Sequence, residues 1–394
     1  MLKRIYDSAL FLVIRREVNR ISTNWILLFI TLVAPLIAYL TIMWMFSDGV
    51  IRDVPTSIVD LDNTAFSRNI SRQLNANPAT RIVRNMNTLD GAKKLMDQGI
   101  VDAIVVIPQG VEKEIFSGRS STLAVYINNT NVVKGGAVKS GIYKTLSTIS
   151  AGIKVQTNMK KGFTEEQAIA RAMPVKMDVH LLFNPYTNYA YFLTLGLLPL
   201  LAIVFVFLGT VYTIGIELKE GTAGSLLKTS KNSITVALTG KLTPYTMLFF
   251  VNIMFMNIIL FKVLGTPLKG NLFSVLLSEL LLIIAYQLLA VLFLNITSNM
   301  RLSLSLGSAY TMMALTFSGL TFPSIAMPLI AKVFSWIFPY TFWLKIFLGQ
   351  TLRNEPITET IPYLIILLLF IVSGIASFKG MKRKFSDSKY WGKE

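Results

Sequence analysis

Residues 191–216 read YFLTLGLLPLLAIVFVFLGTVYTIGI, an unbroken run of 26 uncharged positions that Glu217 brings to an end. As a helix rising 1.5 Å per residue the run would be about 39 Å long, enough to cross the ~30 Å hydrocarbon layer of a bilayer. Five further apolar blocks lie near residues 25–46, 243–264, 272–297, 303–319 and 361–378. With 53% hydrophobic and only 15% charged residues, the chain is too apolar for a water-soluble protein, and the excess is expected to face lipid. The first block is too long for a signal-peptide core, and no small-residue cleavage site follows it before Asp48, so it is expected to remain as an anchor.

The formal charge of +17 would suggest nucleic acid in a soluble protein, but in a membrane chain its distribution matters more. Lys3, Arg4, Arg15, Arg16 and Arg20 precede the first block; Lys379, Lys382, Arg383, Lys384, Lys389 and Lys393 follow the last. Both termini are therefore expected in the cytoplasm, which requires an even number of crossings, and six satisfy it. Residues 3–20 intersperse Ile5, Leu10, Val13, Ile14 and Val18 with arginines, as an interfacial elbow helix would; a simple extension of the first span fits equally.

Residues 47–187 have the composition of a soluble domain. β-rich runs at 56–59, 80–83, 103–107 and 123–127 alternate with helical ones at 64–74, 88–98 and 111–116, and longer helical stretches follow at 132–160 and 165–172. That alternation predicts a small α/β domain, placed outside by the first crossing. Asp60 and Asp62 read as loop and cap residues rather than metal ligands, with Asn63 as the cap of the next helix. The only histidine, His180, has no second His or carboxylate cluster at ligand spacing, and there is no cysteine, so the sequence presents no metal site and no catalytic constellation.

Within the later blocks, Asn252, Asn257, Glu279 and Gln287 are polar positions of the kind that face protein or a cavity rather than lipid. Lys262 near the outer end of one span offers Glu279 an ion-pair partner. Residues 320–350 are apolar but broken by Pro323, Pro328 and Pro339 after Gly319, a pattern suited to a re-entrant hairpin that shapes an external gate. Glu217, Gly221 and Gly224 recur at i, i+4 and i+7, which on one helix would make a face open to close approach by another chain.

Four stretches resemble the ABC-2 type transporter permease family, in its subgroup with one span, a large extracytoplasmic domain and five more spans. They are Val59 to Asn63 with Ser67 and Arg68; Phe183-Asn184-Pro185 ahead of Gly196, Leu197 and Leu198; Glu217, Gly221, Thr222, Leu226 and Leu227 followed by Gly240-Lys241-Leu242 and Pro244-Tyr245; and Ser318-Gly319, Pro323, Met327-Pro328 and Pro339. The third departs from the family pattern, which places a second acid two positions after the first: Lys219 stands there and Glu220 comes next.

The resemblance implies an α-helical polytopic membrane protein of the ABC-2 exporter type, six spans plus a re-entrant hairpin, with an inserted α/β extracytoplasmic domain. It implies a domain order of 1–24 cytoplasmic N-terminus, 25–46 first span, 47–187 external domain, 188–378 transmembrane domain and 379–394 basic tail. Its coupling segment at 217–241, through Glu217, Glu220, Gly221, Thr222 and Gly224, would contact a separate ABC ATPase subunit that binds ATP and Mg, because no G-x-x-x-x-G-K-[ST] loop occurs in this chain. A second permease copy or a related permease would complete the pathway, in a bacterial inner membrane. A periplasmic adaptor and an outer-membrane duct are further expected partners; nucleic acid is not. The other readings are an ion-driven transporter, which should show repeats and midplane acids, and an envelope receptor or scaffold using the external domain.

Overall fold

A computed structural model describes residues 8–175, 177–185 and 187–392. Lys3, Arg4, Ile5 and Lys393, which entered the charge and amphipathicity readings above, lie outside the described residues. The chain divides into two compact units: residues 1–49 with 188–394, and residues 50–187.

The first unit is helical. Helix α1 (Ala9–Thr23) is amphipathic and buries Val13, Glu17 and Ile21, four residues apart on one face. Asn24 then ends α1 and caps α2 (Trp25–Met45), accepting from the N–H of Ile26 and Leu27. The remaining long helices are α8 (Tyr189–Lys219), α10 (Ile234–Val263), α11 (Leu272–Thr297), α12 (Met300–Phe317) and α15 (Ile357–Ile375). Among the described residues five segments are long and apolar enough to cross a membrane: α2, α8, α10, α11 and residues 357–386, which begin with α15. The chain is thus a multi-pass membrane protein. The block expected as a further span folds as α12, about 27 Å long at 18 residues, less apolar than the others and packed along α8, where Gly307 lets the Phe207 ring approach.

Pro35, Pro199 and Pro244 sit inside apolar helices, where each removes a backbone donor. Pro35 leaves the carbonyl of Thr31, in a π-helical turn at Phe29–Val33, without its usual helical partner. Asn252 of α10 reaches across and donates to it at 2.7 Å. Near Pro199, Tyr340 donates its hydroxyl to the Gly196 carbonyl at 2.6 Å. At Pro35 a side chain of a neighbouring helix thus serves a carbonyl that lipid cannot.

Between α12 and α15 the chain forms two short helices, α13 (Leu329–Ser335) and α14 (Pro339–Leu348). The prolines open these helices rather than break one: Pro323 precedes a 3-10 turn, Pro328 is the N-cap of α13, and Pro339 is in the first turn of α14. Gly319 takes φ +89°, a backbone conformation that ends α12 without the strain a Cβ would add. The basic tail begins within α16 (Phe378–Ser386), which packs back on α10, α11 and α9 (Ala223–Thr229).

The second unit is the inserted α/β domain. Strands β1 (Val54–Asp60), β2 (Thr80–Met86), β3 (Ala103–Ile107) and β4 (Ala124–Ile127) form one sheet in the order β2-β1-β3-β4. The first three are parallel and β4 is antiparallel, as crossover helices α3 (Ala65–Ala76) and α4 (Leu89–Asp97) require. Strand alternation sends Ile58, Val105 and Ile107 into one core, with Ile70, Leu74 and Val111 of α5 (Val111–Phe116). Val59 and Ile104 enter the other, with Ala92 of α4. Helix α6 (Val132–Lys160) covers the first face, held where Asn77 donates to the Gly141 carbonyl at 3.0 Å, and α7 (Glu165–Ala172) folds back on it.

The N-cap of α3 is Thr64, not Asn63, which sits at φ +52°. Asp60 accepts from the N–H of Asp62 and Asn63 at 3.1 and 3.0 Å and from Ser67 at 2.7 Å. Asp62 accepts from the N–H of Gly110 and Glu112 at 2.6 and 3.1 Å. Burial by itself would raise the Asp62 carboxyl, but the N–H of Glu112, the Thr64 hydroxyl and the N–H of Gly110 and Val111 hold it below the usual carboxylate range. Exposed His180 pairs with Asp178 at 3.3 Å.

Candidate functional site

Helices α1, α8 and α10 meet around Glu217, in the last turn of α8. Its side chain is wholly buried, as are Glu17 of α1 and Lys241 of α10. Burying three ionised groups is tolerated only when each is paired and hydrogen-bonded. Lys241 donates to Glu17 at 2.7 Å and to Glu217 at 2.9 Å. Arg16 bridges the same two carboxylates, at 2.8 Å to Glu17 and at 3.0 and 2.9 Å to the two oxygens of Glu217. Arg20 donates to Glu217 and, at 3.1 Å, to Glu220. The hydroxyl of Thr222 donates to Glu217, and that of Tyr245 to Glu17 at 3.4 Å. Three cations thus meet three carboxylates, and the site is formally neutral. Burial would lower the Arg16 guanidinium, but the hydrogen bond and charge of Glu217, with the charge of Glu17, raise it above its usual range.

The local sequence explains how the groups converge. Glu17 is the one acid on the buried stripe Val13–Glu17–Ile21 of an otherwise basic helix. At Gly240 a Cβ would stand 2.9 Å from Val13, so the glycine lets α1 lie against α10 and brings Lys241 within reach of Glu17. Helix α8 stops at Lys219 and Gly221 turns the chain at φ +70°, which returns the Thr222 hydroxyl to Glu217.

The expectation of one helical face through Glu217, Gly221 and Gly224 is therefore corrected. A turn separates α8 from α9, and the carboxylate of Glu217 faces the protein's own cations rather than an outside chain. The space beside Gly221 and Gly224 is filled by Trp391 of the tail: a Cβ on Gly224 would stand 2.8 Å from its ring. The Trp391 indole N–H donates to the Lys384 carbonyl at 3.2 Å, and the Gly392 N–H donates to the Leu218 carbonyl at 3.0 Å. Lys384 in turn donates to the carbonyls of Leu294 and Asn295 at the end of α11. The tail thus ties the ends of α8 and α11 to α9.

A comparison with known protein families matches residues 25–378 to the model of the ABC-2 family transporter proteins. The chain belongs to this family. It is accordingly a membrane permease of an ABC transporter, the transmembrane subunit and not the ATP-binding component. No curated protein matches the chain.

The intramembrane polar positions of this permease lie apart from the charge cluster and join helices. Asn252 serves Thr31 of α2, as above. Gln287 of α11 accepts from Thr246 of α10 at 2.8 Å. Asn257 of α10 donates to Glu279 of α11 at 2.9 Å. The ion pair expected between Glu279 and Lys262 does not form: Lys262 is exposed, and Glu279 meets an amide. Sequence reasoning singled out Glu217, Glu220, Gly221, Thr222 and Gly224, quoted Lys241 and Tyr245 only as part of a family stretch, and missed Glu17 and Trp391. The signal for Glu17 was available, as an acid at i+4 between two apolar residues of a basic amphipathic helix.

Proposed function

We propose that this permease is one membrane half of an ATP-driven exporter, and that the site around Glu217 passes the motion of a docked ATPase to the spans. The observation that carries the reading is the buried charge cluster itself. It binds three elements that a docking partner would have to move together: the elbow helix α1, the end of α8 and the start of α10. The short helix α9, with the tail strapped beside it, is the docking piece, and Glu217 is its joint to the membrane helices rather than a contact residue. Glu220, half exposed and paired to Arg20, is the cluster's outward member and supplies the acid that the family pattern has one position earlier.

In this reading ATP and Mg bind the ATPase subunit, α1, α9 and both termini lie in the cytoplasm, and α12 makes the sixth crossing. The α/β unit stands in the periplasm of a bacterial inner membrane. A second permease copy or a related permease completes the path, α13 and α14 form the re-entrant hairpin at the outer gate, and a periplasmic adaptor with an outer-membrane duct can receive the cargo. Support for the sidedness comes from the arginines and lysines flanking the first and last spans.

The test is ATP turnover of the permease extracted mildly from its native membrane with its copurifying subunits, compared with Glu217→Lys at equal permease yield. The expected result is an associated ATPase whose binding or turnover the variant loses. Background turnover and no ATPase under several extraction conditions would overturn the exporter reading and leave an envelope receptor or scaffold.

A further inference from the structure

The pair of Glu279 and Asn257 contains an imbalance that the helix-joining role does not explain. Both residues are buried, with 0% and 6% of their surfaces exposed. Asn257 Nδ2 donates to Glu279 Oε2 at 2.9 Å, while the remaining oxygen of each group, Glu279 Oε1 and Asn257 Oδ1, is buried without a partner. Written as a carboxylate, the pair leaves two buried acceptors with no donor beside an uncompensated charge, each an unfavourable desolvation. No cation offsets that charge among the described residues: Lys262 of α10 is exposed, and the titratable group within electrostatic reach is the Tyr39 phenol of α2, which carries no positive charge in either form.

A single proton removes all three costs. Placed on Oε1, it abolishes the charge, gives that oxygen a hydrogen to donate, and supplies the donor that Asn257 Oδ1 lacks. The two groups then form a cyclic acid–amide pair, with the amide donating to one carboxyl oxygen and the carboxyl donating to the amide oxygen. We propose that Glu279 is an intramembrane proton-binding site, carried as a neutral carboxylic acid in a cyclic pair with Asn257 that fixes α11 against α10. The opposite orientation of the amide does not rescue the carboxylate, because it would set Asn257 Oδ1 against Glu279 Oε2, acceptor against acceptor. The ligand is the proton, and the site is separate from the charge cluster, where every carboxylate meets a cation.

The experiment is infrared spectroscopy of the full-length protein in lipid nanodiscs at neutral pH, taken as the difference between wild type and Glu279→Gln. The expected difference is a carbonyl band of a protonated carboxylic acid, lost in Glu279→Gln and shifted in Asn257→Leu. A difference that shows carboxylate stretches instead overturns the proposal. Glutamine can reproduce the cyclic pair without a titrating proton, so Glu279→Gln is also expected to unfold at the wild-type temperature. If a variant folds poorly, wild-type protein carrying carbon-13 at its glutamate carboxyls decides the matter alone: the protonated band must move on labelling, and its failure to move refutes the site.

Discussion

Replacing Glu217 by glutamine keeps the shape of the side chain and removes its charge. In the wild-type protein its two oxygens accept from Arg16, Arg20, Lys241 and Thr222, and the cluster is neutral. Glutamine would leave Arg16, Arg20 and Lys241 facing only Glu17 and half-exposed Glu220, so one cation is uncompensated in a buried site. Removing one partner of a buried pair costs ~3–5 kcal/mol, mostly through the charge left behind. Lys241→Met should cost a comparable amount for the opposite reason, because Glu17 and Glu217 then share two arginines with Glu220. The double variant Glu217→Gln/Lys241→Met is neutral again, two guanidinium groups against two carboxylates. Its destabilisation should fall short of the sum of the single variants by about 0.5–3 kcal/mol. The assay is reversible unfolding of the purified permease in mixed micelles by titration with an ionic detergent, read by tryptophan fluorescence. Additivity within about 0.5 kcal/mol would refute the coupled cluster.

Three further outcomes are expected. Asn252→Leu should destabilise the protein by ~1–3 kcal/mol by orphaning the Thr31 carbonyl, and Pro35→Ala in that background should recover part of the loss by restoring a helical N–H; the same unfolding assay reads both. Trp391→Ala should free the tail from α9, so that limited proteolysis removes residues after Ser386 faster than in wild type, with the rest of the chain equally resistant; equal rates would refute the strap. Asp62→Asn should lower the melting temperature of the α/β unit at neutral pH. Because the folded carboxyl lies below its unfolded value, its contribution is present above the unfolded carboxylate range and is lost as pH falls through the folded value. The gap between wild type and variant should therefore close on acidification, and a gap independent of pH would contradict the assignment.

The sequence by itself determined the class of the molecule and the identity of most of its elements. Residues 191–216 need no neighbours to be read as a helix in lipid, because an unpaired backbone in hydrocarbon is too costly for any other conformation. Strand β3 and helices α5, α6 and α7 follow their predicted limits because apolar periodicity and turn residues act over a few positions. The weaker span assignment, at α12, is one where hydroxyl and small residues dilute the apolar signal, and what buries that helix is the surface of α8.

The tertiary structure alone decided what the polar groups do. Glu217, Glu17 and Lys241 stand far apart in the chain, and the approach of α1 to α10 at Gly240 turns three separate charges into one neutral cluster. The same holds for Trp391 on Gly224 and for Asn257 on Glu279, the pairing that displaced the expected Lys262 contact. Periodicity specifies which face of a helix is buried, but not which neighbour covers it. Ionic and hydrogen-bonded partners are set by the distances between side chains on different helices, and those distances exist only once the helices have packed.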